Sequence, residues 1–473
     1  MATCIDINSI SSSQLQELVS KAKDWVLMNG ICIRPKKKFD ENTAEIAPFS
    51  LLPSSFPEKE FQRAMGLQVS LNKLMHKVAY DYEFLSETLK TTTRTDNFTS
   101  KLFNIYHTVH SEGLAQKLSL GLMRSDYMLH SDENNIIKLV EINTIASGLA
   151  GIAANISDYY RFILIQLGEP GKTAQIPKNS SDVGFAHGFI MAWRTYSKKE
   201  AAILFVVEEI ESNIFDHRTL EFKIREMDPE IKIIRRSIRN LTELSYMGLN
   251  GELFVNDVEI AVVYFRTAYQ PEAYPSEREW NLRLLIERSQ AIKCPSIQYQ
   301  LAGTKKVQQQ LAVDGVLERF IKDQNEIDRI REIFVGTFSL DSDENGASAV
   351  SRALNDPRKY VLKPQREGGG NNLFGDEVAS KLREMNEVER SAYILMERIK
   401  PPKQKNYLIQ AGKDIKLQDC VSELGIFGVT LGDDRKLILN TTCDYLLRSK
   451  PADADEGGMM TGIGAIDTTY LIN

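Results

Sequence analysis

Ten residues, Lys363-Pro364-Gln365-Arg366-Glu367-Gly368-Gly369-Gly370-Asn371-Asn372, constrain this chain more than any other stretch. The apolar run Tyr360-Val361-Leu362 ahead of them reads as a short strand. Glycine loses more chain entropy on ordering than any other residue, so three in a row mark a mobile loop or a close backbone approach. Without Cβ atoms, their N–H groups can converge on an anion as a concave nest. Lys363 adds a point charge, Glu367 a hard oxygen ligand for a divalent cation, and Asn371 and Asn372 neutral hydrogen bonds. Bracketed in this way, the glycines describe a loop closing over a metal-bound polyphosphate rather than a bare hairpin tip. The spacing is neither G-x-x-x-x-G-K-[ST] nor G-x-G-x-x-G, which argues against a P-loop and against a dinucleotide fold.

A nucleotide loop of this kind needs a second acidic segment. Leu122 to Leu129 and Ile136 to Thr144 read as a β-hairpin across a turn at Asp132 to Asn135. Alternation with period two puts Leu139, Glu141 and Asn143 on one face and Lys138, Val140 and Ile142 on the other. A carboxylate beside an amide makes half of a Mg²⁺ shell, since Mg²⁺ takes oxygen ligands and keeps waters. Further on, Ala202 to Val207 is a buried-strand run, followed by a helix over 216–227 and strands over 231–234 and 261–266. A helix over 280–288 completes a small α/β domain with a parallel core, at about 201–302.

Helical spacing also marks 11–29, 58–79, 81–91, 96–111 and the stretch from 303 to about 334, with an Asp/Ser/Gly-rich loop over 339–348. Tyr393 to Ile399 and Cys420 to Gly428 read as strands, Leu446 to Lys450 as a charged segment, and Asp455 to Gly462 as a second glycine-rich loop. His107 and His110 share a helix face with no third ligand nearby and read as ordinary polar residues. The Lys36-Lys37-Lys38 run after Pro35 reads as a solvated turn.

A length of 473 residues suits about two to four domains. Net charge is −6 with no basic block, which argues against nucleic acid or an anionic membrane as the main partner. The 5 cysteines are scattered without C-x-x-C spacing, as for free thiols in a reducing compartment, and a cytoplasmic location is expected. The N-terminus has no basic region followed by an apolar core, so no signal peptide is expected. No apolar run approaches about 18 residues, so no membrane span is expected.

Read together, these residues resemble the eukaryotic glutathione synthetases, ATP-grasp ligases. The resemblance is carried by M-R-S-D-Y-M (123–128), E-I-N-T-I (141–145), N-I-F-D (213–216) and A-V-V-Y-F-R (261–266). It continues in Q-L-A-G-T-K-K-V-Q-Q (300–309), K-P-Q-R-E-G-G-G-N-N-L (363–373), Y-I-L-M-E (393–397), S-E-L-G-I-F-G (422–428) and L-L-R-S-K (446–450). It implies an α/β (α+β) fold: an ATP-grasp core from residues 1–200 and 303–473, a mobile Gly-rich lid at about 363–415, and an inserted small parallel α/β substrate-binding domain at 201–302. A homodimer is also implied.

The implied reaction joins γ-glutamylcysteine to glycine through an acyl phosphate, with ATP and Mg²⁺ as cofactors. By the same resemblance, Glu141, Asn143 and Glu367 hold Mg²⁺, while Lys305 and Lys363 neutralise phosphates. Gly368, Gly369, Gly370, Asn371 and Asn372 cover those phosphates. Phe374, Met396, Glu397, Arg398 and Ile399 edge the nucleotide, and Glu423, Lys450 and Glu456 complete its site. Arg124 sits at the reacting carboxylate and Arg448 at the acceptor carboxylate, so that Arg124, Lys305, Lys363 and Arg448 carry the catalysis. Donor contacts fall on Ile145, Ala146, Ser147, Gly148, Glu211, Ser212, Asn213, His217, Arg266, Thr267, Ala268 and Tyr269, and acceptor contacts on Met459 and Met460.

Departures from the family pattern gather in the peptide and acceptor sites. Ala146-Ser147-Gly148 stands where Ser-x-Ser is usual, Ser212 for Arg and His217 for Gln. Thr267-Ala268 replaces Asp-Gly, Phe374 replaces a common Tyr, and Met459-Met460 replaces small residues. A ligase of altered acceptor or donor specificity, or a binding protein of little turnover, is the competing reading. The intact metal and phosphate residues disfavour the last of these.

Overall fold

The computed structural model describes residues 4–36, 39–458 and 462–473. Among them, 13 strands form one mixed sheet, and a separate antiparallel sheet of 4 strands stands beside it. The centre of the large sheet is antiparallel and draws on remote parts of the chain. Ser119–His130 pairs with Ile136–Asn143 on one side and with Leu417–Gly432 on the other, which in turn pairs with Leu437–Pro451. One flank is parallel: Ile233–Ser237, Ala202–Val207, Val258–Phe265 and Ile292–Cys294 lie side by side. This flank joins the centre where Lys293 pairs with Ser119.

Both faces of the parallel flank are covered, and so its central strands, Ala202–Val207 and the end of Val258–Phe265, read as unbroken apolar runs rather than alternating ones. Ala202, Leu204 and Val206 point into one core, with Glu58–Ala79 and Asn97–Glu112; Ile203, Phe205 and Val207 point into the other, with Ser12–Met28, Ala150–Gln166 and Ser181–Tyr196. The latter two helices were not anticipated. Ala150–Gln166 buries Ile152, Ile156, Tyr159, Tyr160, Ile163 and Leu164, and so much buried surface blurs the one-sided stripe on which helix recognition rests.

The 4-stranded sheet runs Thr337–Ser339, Tyr393–Glu397, Tyr360–Pro364, Leu373–Phe374, with a small core of its own around Leu362, Val378, Leu382 and Leu395. The triglycine loop connects its last two strands. The stretch expected as a loop over 339–348 instead begins the helix Glu344–Asn355, capped by Asp343, whose carboxylate accepts from the Gly346 N–H at 2.7 Å. The segment expected to be merely charged, Leu446 to Lys450, lies within the strand Leu437–Pro451; the consecutive polar residues Arg448, Ser449 and Lys450 line a cavity there and interrupt the apolar pattern that marks a strand.

Candidate functional site

The hairpin sets the site, through an irregularity that alternation does not reveal. Asp126 pairs with Glu141 and Tyr127 with Leu139, which leaves Val140 as a bulge. The bulge reverses the phase of the strand. Leu139 therefore turns into the core with Tyr127, on the opposite face from Glu141 and Asn143, correcting the expected grouping. The freed Val140 carbonyl accepts from Lys363 Nζ at 3.0 Å.

Lys305, at the start of the helix Lys305–Leu311, lies between two carboxylates from distant segments. Its Nζ is 3.1 Å from Glu141 Oε2, and 2.9 and 3.0 Å from the two oxygens of Glu367. Burial alone would raise the Glu141 carboxyl, but Lys305, Lys363 and Arg124 together bring it down to about 2. Burial works against the Lys305 ammonium, and Glu141 and Glu367 more than restore it. Glu367 is pushed up, first by burial and then by the Glu141 charge, against the pull of Lys305. Burial likewise lowers Lys363.

Beside this cluster, Arg124 makes a bidentate pair with Asp126 (2.6 and 2.8 Å), and Arg448 reaches Asp126 at 3.0 Å and also contacts Glu423. Arg448 Nε is buried without a hydrogen-bond partner among the described residues. Asn143 Nδ2 donates to Asp126 at 2.9 Å, which turns the amide oxygen the other way. Two carboxylates and an amide oxygen are hard donors of the kind Mg²⁺ takes together with phosphate oxygens, and an ammonium already bridges the two carboxylates, so the donor set fits a cation.

Gly368, Gly369 and Gly370 all have positive φ (97°, 69° and 78°), where a side chain would be strained. Their turn aims the N–H groups of Gly370 and Asn372 at the Glu456 carboxylate, the second at 2.8 Å. An acidic side chain thus sits in a nest suited to phosphate. Asn371 closes the loop on itself by donating to the Gly369 carbonyl at 3.0 Å. Met396, Glu397, Arg398 and Ile399 line the opposite wall, where Arg398 lies over the Phe374 ring and pairs with Asp455 at 2.7 Å. Lys450 lines the same end, its ammonium lowered by burial.

At the far end, Arg266 donates through Nε to His217 Nε2 at 2.8 Å and through Nη1 to the Ala146 carbonyl at 2.7 Å, with Nη2 3.5 Å from Asp216. Burial, together with the Arg266 and Arg235 charges, holds His217 well below its ordinary range, so it is neutral. Glu211 is raised by burial, and Asn213 Oδ1 is buried with no partner among the described residues.

One cavity of about 560 Å³ runs from this end to the triglycine loop. It brings together Arg124, Glu141, Asn143, Ile145, Ala146, Ser147, Gly148, Glu211, Asn213, His217, Arg266, Tyr269, Lys305, Lys363, Glu367, Gly368, Gly369, Asn371, Asn372, Phe374, Glu423, Arg448, Lys450 and Glu456. Four expected residues do not line it. The Ser212 hydroxyl turns away to the Arg34 carbonyl, Thr267 is buried, and Ala268 packs into the core with φ 72°. Gly370 contributes its N–H to Glu456 rather than a wall. Met459 and Met460 lie outside the described residues. The structure adds Asp126, fully buried behind the wall, where it organises both arginines, and Lys36 and Glu208 at the rim. Asp126 sat in view within M-R-S-D-Y-M, whereas nothing local marked the other two.

Comparison with known proteins follows the same lines. The family model described as "Eukaryotic glutathione synthase, ATP binding domain" matches residues 12–471. The glutathione synthetases of Rattus norvegicus and Homo sapiens are each 40% identical over 464 residues, covering 97% of this chain and 97% of their own. The chloroplastic glutathione synthetase of Solanum lycopersicum is 36% identical over 478 residues, covering 99% of this chain and 86% of its own. Among solved structures, a glutathione synthetase-like effector from Globodera pallida, in its apo form, superimposes with a TM-score of 0.80 at 25% identity, each chain covered fully.

Proposed function

Since this chain belongs to the eukaryotic glutathione synthase family, we infer that it is an ATP-dependent carbon–nitrogen ligase that joins γ-glutamylcysteine to glycine. The observation that carries the reading is the meeting of Glu141 and Glu367, from opposite parts of the chain, across Lys305 in the middle of one cavity. A carboxylate is a poor electrophile, so the γ-phosphoryl of ATP first passes to the cysteinyl carboxylate. The glycine amine then attacks that acyl phosphate, forming the C–N bond as phosphate leaves.

Such transfer asks chiefly for positioning and charge neutralisation. Lys305 and Lys363 are the cations for the phosphates, and Lys305 can exchange its carboxylate partners for phosphate oxygens as these enter. Glu141, Asn143 and Glu367 would hold Mg²⁺, which when bound neutralises the same phosphates. Arg124, set by Asp126, faces the reacting carboxylate. Arg448, with its unpartnered Nε, receives the glycine carboxylate, a task for a planar donor. Gly368 to Asn372 form the lid that excludes water from the acyl phosphate. Residues 201–302 act as the substrate-binding unit, and the family resemblance supports a homodimer.

The test is phosphate release from ATP with γ-glutamylcysteine and a panel of acceptors including glycine, β-alanine and serine. Release that depends on glycine is the expected result. Selectivity for another amino acid assigns a different acceptor, and silence across the panel removes the ligase reading. Among the described residues, no helix is long and apolar enough to cross a membrane.

A further inference from the structure

Asp126 and Arg448 stand on strands that are not neighbours, and yet they touch. Leu417–Gly432 runs between Ser119–His130, which carries Asp126, and Leu437–Pro451, which carries Arg448. Next-nearest strands lie about 10 Å apart, so a side chain of the middle strand normally stands between them. The residue in that place is Gly425, paired directly with Asp126. A Cβ there would lie 2.8 Å from Asp126 Oδ1 and 2.7 Å from Arg124 Cδ, closer than real Cβ atoms come to their neighbours. The room above Gly425 is filled instead by the Asp126 carboxylate and the Arg124 stem. That carboxylate thereby leans toward the third strand, where Arg448, itself paired with Glu423, meets it at 3.0 Å.

Asp126 is fully buried, and four N–H groups converge on its two oxygens. Oδ1 accepts from Arg124 Nε at 2.6 Å, and Oδ2 accepts from Arg124, Asn143 and Arg448 at 2.8, 2.9 and 3.0 Å. One carboxylate is thus a strut between the arginine that faces the reacting carboxylate and the arginine that receives the acceptor. The groups those arginines hold must meet, acyl carbon against amine nitrogen. Their separation sets the approach, and a misplacement of about 1 Å costs about 10²-fold in rate.

We propose that Gly425 is a positioning residue for C–N bond formation. By leaving room for the Asp126 carboxylate, it holds Arg124 and Arg448 at a fixed separation, and so brings the amine to the acyl carbon. The proposal rests on the reading of the protein as a ligase that works through an acyl phosphate.

The experiment uses hydroxylamine, which attacks an acyl phosphate at carbon, releases phosphate and leaves a hydroxamate, but has no carboxylate for Arg448 to hold. Wild type, Gly425→Ala and Asp126→Asn each receive ATP, Mg²⁺ and γ-glutamylcysteine, with saturating glycine or with hydroxylamine, and both products are measured. In Gly425→Ala the glycine product should form about 100-fold more slowly, while the hydroxamate should fall by less than about tenfold. Asp126→Asn, which keeps the size of the side chain and removes its charge, should skew the two products the same way. It carries the test if Gly425→Ala does not fold. Loss of both products in equal proportion in the folded variants marks a purely structural role and overturns the proposal, as does an unimpaired glycine rate in Gly425→Ala. A wild type that yields neither product overturns the ligase reading, and this proposal with it.

Discussion

At the phosphate end of the cavity, Lys305 is gripped by two carboxylates that reach it from remote segments, whereas at the donor end Arg266 is gripped by a neutral imidazole, a backbone carbonyl and one carboxylate. The first arrangement is ionic on all sides and can be re-partnered when phosphates and a metal arrive. The second is built largely from dipoles that do not leave. Of the departures expected from the family pattern, His217, Thr267 and Ala268 fall at the donor end and Phe374 at the nucleotide end. A guanidinium that must only be held can be held by more than one kind of acceptor.

The largest expected effect lies at the ionic end. Glu367→Ala should lower kcat by a factor on the order of 10³, the scale on which losing one charge-stabilising group acts. The melting temperature should stay within about 2 °C, because Lys305 keeps Glu141 as a partner and a carboxyl that burial disfavours is gone. Near-normal turnover would take Glu367 out of the metal shell and dissolve the contrast.

Behind the same wall lies Asp467, buried and accepting from Ser54 at 2.6 Å and from Ser449 at 2.5 Å. Burial pushes its carboxyl up to about 6 from an ordinary 3.8. A folded pKa above the unfolded one means that the native state binds the proton more tightly. Stability from this group is therefore full below about pH 4 and falls as pH rises to about 6, by about 3 kcal/mol in all. Chemical denaturation across that range should show the slope in wild type and a flatter curve in Asp467→Asn; equal slopes would refute it.

His217 has the opposite sign. Its folded pKa is depressed, so its contribution is intact above about pH 6.5 and is lost as pH falls below it. His217→Gln, which still offers Arg266 an acceptor, should soften that acid limb and keep KM for the donor within about twofold. His217→Leu leaves the Arg266 Nε unpaired and should cost about 2 kcal/mol while raising donor KM. If Leu and Gln behave alike, Arg266 does not depend on this hydrogen bond.

Ala268→Gly should have the smallest effect. Relief of the left-handed backbone at φ 72° is worth about 1 kcal/mol, and loss of a buried methyl costs about 0.8 kcal/mol. The melting temperature should barely move, and a large shift either way would mean that one of the two terms is misjudged.

Legibility followed the range of the forces involved. Strands Val258–Phe265 and Leu417–Gly432 announced part of their length, at 261–266 and 420–428, since a run of β-branched and apolar residues is a local signal. The helices Ala150–Gln166 and Ser181–Tyr196 did not, because tertiary burial on several sides erases the stripe. The hairpin was readable, but the Val140 bulge was not; it exists to satisfy a register with Ser119–His130 and to offer a carbonyl to Lys363.

From residue types and their order alone came the chemistry: hard oxygens at Glu141, Asn143 and Glu367, a phosphate nest at Gly368 to Gly370, and a cation at Lys363, with Lys305 added by the family resemblance. Those are properties of side chains and of glycine backbones, carried wherever the chain goes. Only the fold decided that Lys305 lies between the two carboxylates, that Glu456 enters the glycine nest, that Ser212 faces Arg34 and that Lys36 stands at the donor rim. Each of those is a meeting of segments far apart in sequence, and the pairing of distant charges is set by three-dimensional packing, which no local pattern encodes.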